Sequence, residues 1–221
     1  LLVKLINANH NLSVQVHPND EYAQKAEGGT GKTEAWYVVD AQEGASLIVG
    51  FKESFTRSQF LAAMEQGNLE QYLNRIPVKT GDAFLIPSGL VHAIGEGITL
   101  AEIQQNSDIT YRVYDYNRGR ELHIEKALDV IDFTLAGTVE PATEEISEGH
   151  RKRRLCSTPH FCLELYDVME SCTETSDIER FSILTCIDGR GEIQYGLHGE
   201  RTDLRKGDSV LIPASLGQYT I

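Results

Sequence analysis

Apolar and polar positions alternate along Leu1 to Ala8 and Leu12 to Val16, and aliphatic, β-branched density returns at Ala35 to Val39 and Ser46 to Gly50. With turn sequences such as EGGTGK between them, these stretches predict strands. The period changes between Ser54 and Asn74, where Phe60, Leu61, Met64, Leu69, Tyr72 and Leu73 recur at helical spacing. Serine and threonine offer caps there and Gly67 offers a break, so two short helices are predicted. A further helical pattern covers HIEKALDVIDF, from His123 to Phe133. One strand departs from its pattern. LSVQVHPND, Leu12 to Asp20, puts Gln15 and His17 on a face where apolar side chains are expected, and then meets a proline.

A phrase recurs. VKTGDAFLIPSGLVHAIG, Val78 to Gly95, returns as LRKGDSVLIPASLGQYTI, Leu204 to Ile221. A gapless offset of 126 residues places Gly81 and Asp82 on Gly207 and Asp208, Leu85-Ile86-Pro87 on Leu211-Ile212-Pro213, and Leu90 on Leu216. Upstream, AWYVVDAQEGASLIVG matches SILTCIDGRGEIQYG more loosely. A repeat of this length implies two copies of one β unit. The charged, apolar-poor segment from Thr138 to Arg154 is the expected linker.

Composition narrows the partners. A formal charge of -13 over 221 residues lacks the basic concentration that nucleic acid or an anionic membrane surface requires. No run approaches the roughly 18 apolar residues of a membrane span. LLVKLI has no basic region before it and no small-residue cleavage site after it, so it reads as a strand and not as a signal peptide. Cys156, Cys162, Cys172 and Cys186 form no C-x-x-C pair, which suggests reduced thiols in a cytoplasmic setting.

Residues two apart on a strand point to one face, so Gln15 and His17 reach a common point. If that face lines a barrel, the amide and imidazole need a partner, and one metal ion satisfies both. Glu34, opening EAWYVV, and His92, in the strand after LIPSG, are two further candidate ligands. This mixed nitrogen and oxygen set suits Zn²⁺, with Fe²⁺, Mn²⁺ and Co²⁺ open. The second copy has Gln218 in place of His92, Ser182 near the place of Glu34, and no Q-x-H pair. The fold therefore survives without the set, which favours a function for it in the first copy.

The G-D-x-x-x-I-P unit with a downstream histidine resembles the second motif of the cupins. More specifically, LSVQVHPND, GKTEAWYVVDA, IPVKTGDAFLIPSGLVHAIG, AEIQQNSDITYRVYDYNR and ELHIEKALDVIDF resemble, in family order, class I mannose-6-phosphate isomerase in its shorter bacterial form. The resemblance implies a mainly β bicupin, two jelly-roll barrels with a small helical insertion. Residues 1–136 form the metal-binding unit with its insertion at about 54–74, 137–154 the linker, and 155–221 a metal-free second unit. It implies one Zn²⁺ per chain on Gln15, His17, Glu34 and His92, and interconversion of mannose 6-phosphate and fructose 6-phosphate through a cis-enediol. It also implies Glu102 as proton-shuttling base, Arg112 as cationic stabiliser, and Lys32 as a second catalytic or substrate-binding candidate. The expected partner is a small sugar phosphate, in a monomer or homodimer. Longer relatives place a histidine where this chain has Gly31, so a ring-opening role for that side chain does not transfer. A non-catalytic sugar-binding or regulatory bicupin is the alternative, and a metal dioxygenase, which more often carries H-x-H, is a third.

Overall fold

The computed structural model describes residues 1–52, 55–136 and 143–221. It is mainly β, and the chain divides into two compact units, Leu1–Pro141 with Leu155–Leu163, and Ala142–Arg154 with Glu164–Ile221.

The first unit contains two sheets. In the four-stranded one, β1 (Leu2–Ala8), β8 (Ile98–Gln104), β3 (Glu34–Ala41) and β6 (Ala83–Ile86) lie side by side in that order. The five-stranded one runs β5 (Leu73–Pro77), β4 (Ser46–Phe51), β7 (His92–Ile94), β2 (Val14–Val16), β9 (Tyr111–Tyr114). Their inner faces meet through Trp36, Val38, Leu100, Phe84 and Ile86 from one sheet and Leu47, Val49 and Ile94 from the other. Among the described residues no sheet closes on itself, so these are open, facing sheets rather than a closed barrel.

The opening puzzle resolves at β2. Its outer face, Val14 and Val16, is buried against a second apolar layer. That layer includes Phe60 and Ala63 of α2 (Arg57–Glu65) and Ala127 and Leu128 of α3 (Ile124–Val130). Each fully buried aliphatic side chain there contributes about 1.5–3 kcal/mol. Because helices cover the outside, the valines point outward into a core, and Gln15 and His17 point inward between the sheets. The two short helices expected between Ser54 and Asn74 are α2, closed by a Thr56 capping box, and a 3-10 turn at Leu69–Tyr72; Ser54 itself lies outside the described residues. One helix was not foreseen. In α1 (Asp20–Glu27) the Asn19 side chain accepts from the Tyr22 N–H and Gly28 closes the far end at φ 67°. These are ordinary cap signals, hidden in a stretch that composition marks as a turn.

In the second unit, β10 (Thr143–Ser147) shares one sheet with β11 (His150–Ser157) and β12 (Cys162–Val168), two strands whose Leu155–Ser157 and Cys162–Leu163 ends are grouped with the first unit. A second sheet has the order β13 (Thr173–Thr175), β18 (Gln218–Thr220), β15 (Arg190–Tyr195), β16 (Glu200–Arg205), and β14 (Ser182–Thr185) pairs with β17 (Ser209–Ile212). Of the expected linker 137–154, residues 137–142 lie outside the described residues. From Thr143 on, the chain is a β hairpin instead of an open connection. Glu144 stands opposite Arg153 and Glu145 opposite Lys152, and such opposite-charge pairs let an apolar-poor segment hold strand geometry.

The repeat is reproduced bond for bond. Gly81 and Gly207 adopt φ 96° and 94°, and Asp82 and Asp208 each accept the backbone N–H three residues before, at 2.9 Å. Leu90 N–H donates to Pro87 O at 3.2 Å, and Leu216 N–H to Pro213 O at 3.1 Å.

Candidate metal centre and its surroundings

Two sheets supply the polar cluster. Gln15 stands directly opposite His92 on one side and Arg112 on the other, so three adjacent strands present these side chains in one row. His17 lies just past the end of β2. Glu34 comes from the facing sheet, opposite Gln104 on β8 and Ile86 on β6.

His17, Glu34 and His92 each offer a ligand atom within 4.8 Å of the others, and all three are buried. His17 Nε2 lies 3.2 Å from Glu34 Oε1, and His92 Nε2 lies 3.8 Å from Glu34 Oε2. On each ring the other nitrogen is already engaged, His17 Nδ1 with the Ile109 carbonyl at 2.9 Å and His92 Nδ1 with the Leu90 carbonyl at 2.8 Å. A carbonyl only accepts, so both Nδ1 atoms carry the proton and both Nε2 atoms present a lone pair inward. His17 Nε2 and both Glu34 oxygens are buried without any hydrogen bond of acceptable geometry. Orphaned atoms of this kind are costly. A divalent cation would satisfy all of them, and tautomers held by backbone carbonyls are the usual support of metal-binding histidines. The residues present therefore fit a metal.

Electrostatics agree. Burial alone would raise the Glu34 carboxyl, but His17, His92 and Lys32 outweigh it and hold it well below the usual carboxylate range. Burial, with His17 beside it, pushes the His92 imidazole down to about 3. A carboxylate beside a neutral imidazole is the protonation state that metal binding needs. The Gln15 amide lies at the edge of this group, Nε2 at 3.5 Å from His92 Nε2 and Oε1 at 3.4 Å from the Ser13 hydroxyl. Turning the amide over presents its oxygen inward.

Lys32 is buried with its Nζ 2.9 Å from Glu34 Oε1, so it supports the ligand carboxylate directly. Glu102 projects from β8 on the same inner face as Glu34 and is 5% exposed. One of its oxygens accepts from Lys4 Nζ at 2.8 Å and the other from Trp36 Nε1 at 3.1 Å. Arg112 donates through Nη1 to the Glu121 carbonyl at 2.9 Å, and its Nε is a buried donor without a partner. Asp115, which sequence proximity offers to Arg112 as an ion-pair partner, is held instead by Arg118 and Arg120. These arginines, Arg120 foremost, hold its carboxyl down at about 2.

Lys4 was missed by sequence reading. It sits between Leu2 and Ile6 on one strand face, the same polar intrusion that singled out Gln15 and His17, and also reaches Gln104 at 2.5 Å. Gly31 finds a steric reason. A Cβ there would lie 2.5 Å from the backbone carbon of Asn19 and the nitrogen of Asp20, so no side chain fits at this position.

A mainly β protein with a buried cluster of nitrogen and oxygen donors that could hold a metal ion, set between facing sheets, is the class that fold and site define. Comparison with known proteins narrows it. Residues 152–221 match the family model of the mannose-6-phosphate isomerase cupin domain. The chain is 39% identical to mannose-6-phosphate isomerase of Streptococcus mutans over 99% of its own length and 70% of that protein. It is 38% identical to ManA of Bacillus subtilis over 100% of its length and 71% of that relative. The crystal structure of the Bacillus subtilis mannose 6-phosphate isomerase superposes with a TM-score of 0.92 at 33% identity, covering 100% of this chain and 71% of that one. The chain belongs to the mannose-6-phosphate isomerase family.

Proposed function

We propose that this chain is a metal-dependent aldose-ketose isomerase that interconverts mannose 6-phosphate and fructose 6-phosphate through a cis-enediol. The observation that carries the proposal is the convergence of the buried ligand atoms of His17, Glu34 and His92 with Glu102 and Arg112 on one interior, in a chain whose similarity to these isomerases runs its whole length. Gln15, His17, Glu34 and His92 would hold one Zn²⁺, which when bound supplies Lewis-acid polarisation and a template for adjacent substrate oxygens.

The chain's own groups do the rest. Glu102 takes the proton from C2 of the aldose and returns it to C1, while the proton of the C2 hydroxyl ends on O1 and the carbonyl moves from C1 to C2. A carboxylate in hydrogen-bond reach contributes roughly 10²–10⁴-fold to such a transfer. Arg112, with its unpartnered Nε, neutralises the negative charge of the enediolate or the phosphate. Lys32 holds Glu34, and that contact favours Glu102 over Lys32 as the proton carrier. Together with Lys4, these cations make a local positive pocket on a chain of charge -13, which reconciles an acidic protein with an anionic substrate.

The reading extends to the architecture: two jelly-roll cupin units, one carrying the site and the other structural, in a cytoplasmic monomer or homodimer. No helix among the described residues is long and apolar enough to cross a membrane. The test is turnover of mannose 6-phosphate by the purified protein before and after chelation, with His92→Ala alongside. We expect activity that vanishes on chelation, returns with Zn²⁺ and is absent from the variant. Metal binding without turnover would instead make this a sugar-binding cupin.

A further inference from the structure

We propose that Trp36, the single tryptophan of the chain, is a positioning residue for this isomerase site: its indole N–H fixes Glu102 while its ring packs against His92. One side chain thereby sets the separation between the proton-carrying carboxylate and the metal-binding imidazole. The proposal rests on the assignment of Glu102 as the proton carrier.

The strand register makes the arrangement. Glu34 and Trp36 are two apart on β3 and face inward together, and their partners on β8 are Gln104 and Glu102. Trp36 is 1% exposed, so its only polar atom must find a partner inside the protein. That partner is Glu102 Oε2, at 3.1 Å. The indole and the His92 imidazole form a T-shaped pair, with centroids 5.4 Å apart and planes at 74°. Ordinary core packing accounts for the indole lying against Phe84 and Leu100, but an apolar core does not call for an N–H aimed at a buried carboxylate. Other apolar side chains would fill that volume.

The two donors to Glu102 differ in kind. The Lys4 side chain is 38% exposed on a flexible stem, so its ammonium can turn toward water or toward an anionic substrate. Trp36 is enclosed and cannot leave. When Lys4 moves, the indole N–H is what still holds the carboxylate, and a base displaced by about 1 Å loses on the order of 10²-fold in rate. Losing one of two restraints is expected to cost less, about tenfold.

A double-mutant cycle on the full Zn²⁺-loaded chain tests this, with Trp36→Phe keeping an aromatic ring beside His92 while deleting the donor. The expected result is a roughly tenfold lower kcat, KM within about twofold, and unchanged zinc content. In a Glu102→Gln background the same replacement should change the residual kcat by less than about twofold, because the group it acts through is already gone. Equal losses in both backgrounds, or wild-type kcat in Trp36→Phe, would overturn the proposal. An independent reading needs no tryptophan variant: a ¹⁵N-labelled chain has one indole N–H resonance, which Glu102→Gln should displace and expose to faster exchange. A resonance indifferent to that substitution overturns the proposal even if Trp36→Phe fails to fold. Absence of any turnover in the unsubstituted protein is a different result, and it sinks the isomerase reading and this proposal with it.

Discussion

The two units carry the same turn, strand and turn, yet among the described residues only the first brings together a group of side chains that could hold a metal ion. Glu34 stands opposite Ile86 in one unit, and Ser182 stands opposite Ile212 in the other. His92 opens β7 opposite Gln15, and Gln218 opens β18 opposite Thr175. Two residues past Thr175, in the place of His17, comes Asp177, which is tied to Arg180 at 2.6 Å. The four positions Gln15, His17, Glu34 and His92 thus become Thr175, Asp177, Ser182 and Gln218. Since the turn hydrogen bonds, glycine dihedrals and strand pairing survive this exchange, the scaffold does not depend on the ligands. In the first unit His17 Nε2 and both Glu34 oxygens are buried without a hydrogen bond, a cost that the aligned Asp177, which is tied to Arg180, does not carry in the second.

The largest break of this comparison should come from Glu34→Gln. It removes the charge that the imidazoles and Lys32 surround, and zinc affinity should fall by more than the roughly 10–100-fold that an outer-shell partner costs. Metal content by mass spectrometry checks it, and retention of a full equivalent of zinc would sink the site. Ser182→Glu with Gln218→His, the converse change, should leave the stoichiometry at one, because Thr175 and Asp177 do not supply the rest of the set.

Next in size are the twin core isoleucines. Ile86 is 0% exposed and Ile212 is 2% exposed, so replacing either by alanine should cost about 2–5 kcal/mol in its own unit. Only Ile86→Ala should also weaken zinc binding, since its neighbour across the strand is Glu34. Denaturant unfolding and metal titration together decide this, and equal metal loss from Ile212→Ala would contradict the division of roles.

Gly31→Ala and Gly191→Ala form a smaller contrast. The first drives a Cβ into the backbone at Asn19 and Asp20, and overpacking of this kind costs roughly 1–3 kcal/mol. The second meets nothing within 4 Å, and its effect should stay within about 0.5 kcal/mol. Thermal melts showing the reverse order would refute the steric account of Gly31. Smallest of all, Asp82→Ala and Asp208→Ala each remove one turn hydrogen bond of 2.9 Å, for about 1 kcal/mol, and Asp82→Ala also removes the exposed Lys79 ammonium's 2.6 Å contact. The buried Asp82 should lose more than the exposed Asp208. Matching chemical denaturation curves for the two would show burial to be irrelevant to the turn.

Local pattern made much of this legible. The strands β1, β2, β3 and β4 and the helices α2 and α3 lie where the periods put them, because alternation and 3.6-residue spacing are properties of short stretches. The repeat alone places Gln218 against His92 and brings Ser182 near the place of Glu34. Helix α1 was not legible, since its caps sit in a polar stretch whose composition reads as a turn. The hairpin at Thr143–Ser157 was hidden as well, because its strands are held by cross-strand charge pairs and not by an apolar face.

Residue types and their spacing by themselves determined which side chains could ligate a metal, and that they intrude on apolar faces. Tertiary structure decided which atoms of those side chains are free. It took the pairing of β8 with β3 on one side and β1 on the other to bring Trp36 and Lys4 onto Glu102, and the backbone carbonyls of Ile109 and Leu90 to turn both imidazole lone pairs inward. Such contacts join residues about a hundred positions apart in one case and two in another. A one-dimensional pattern encodes which face a residue takes, but not what the opposite sheet will place against it.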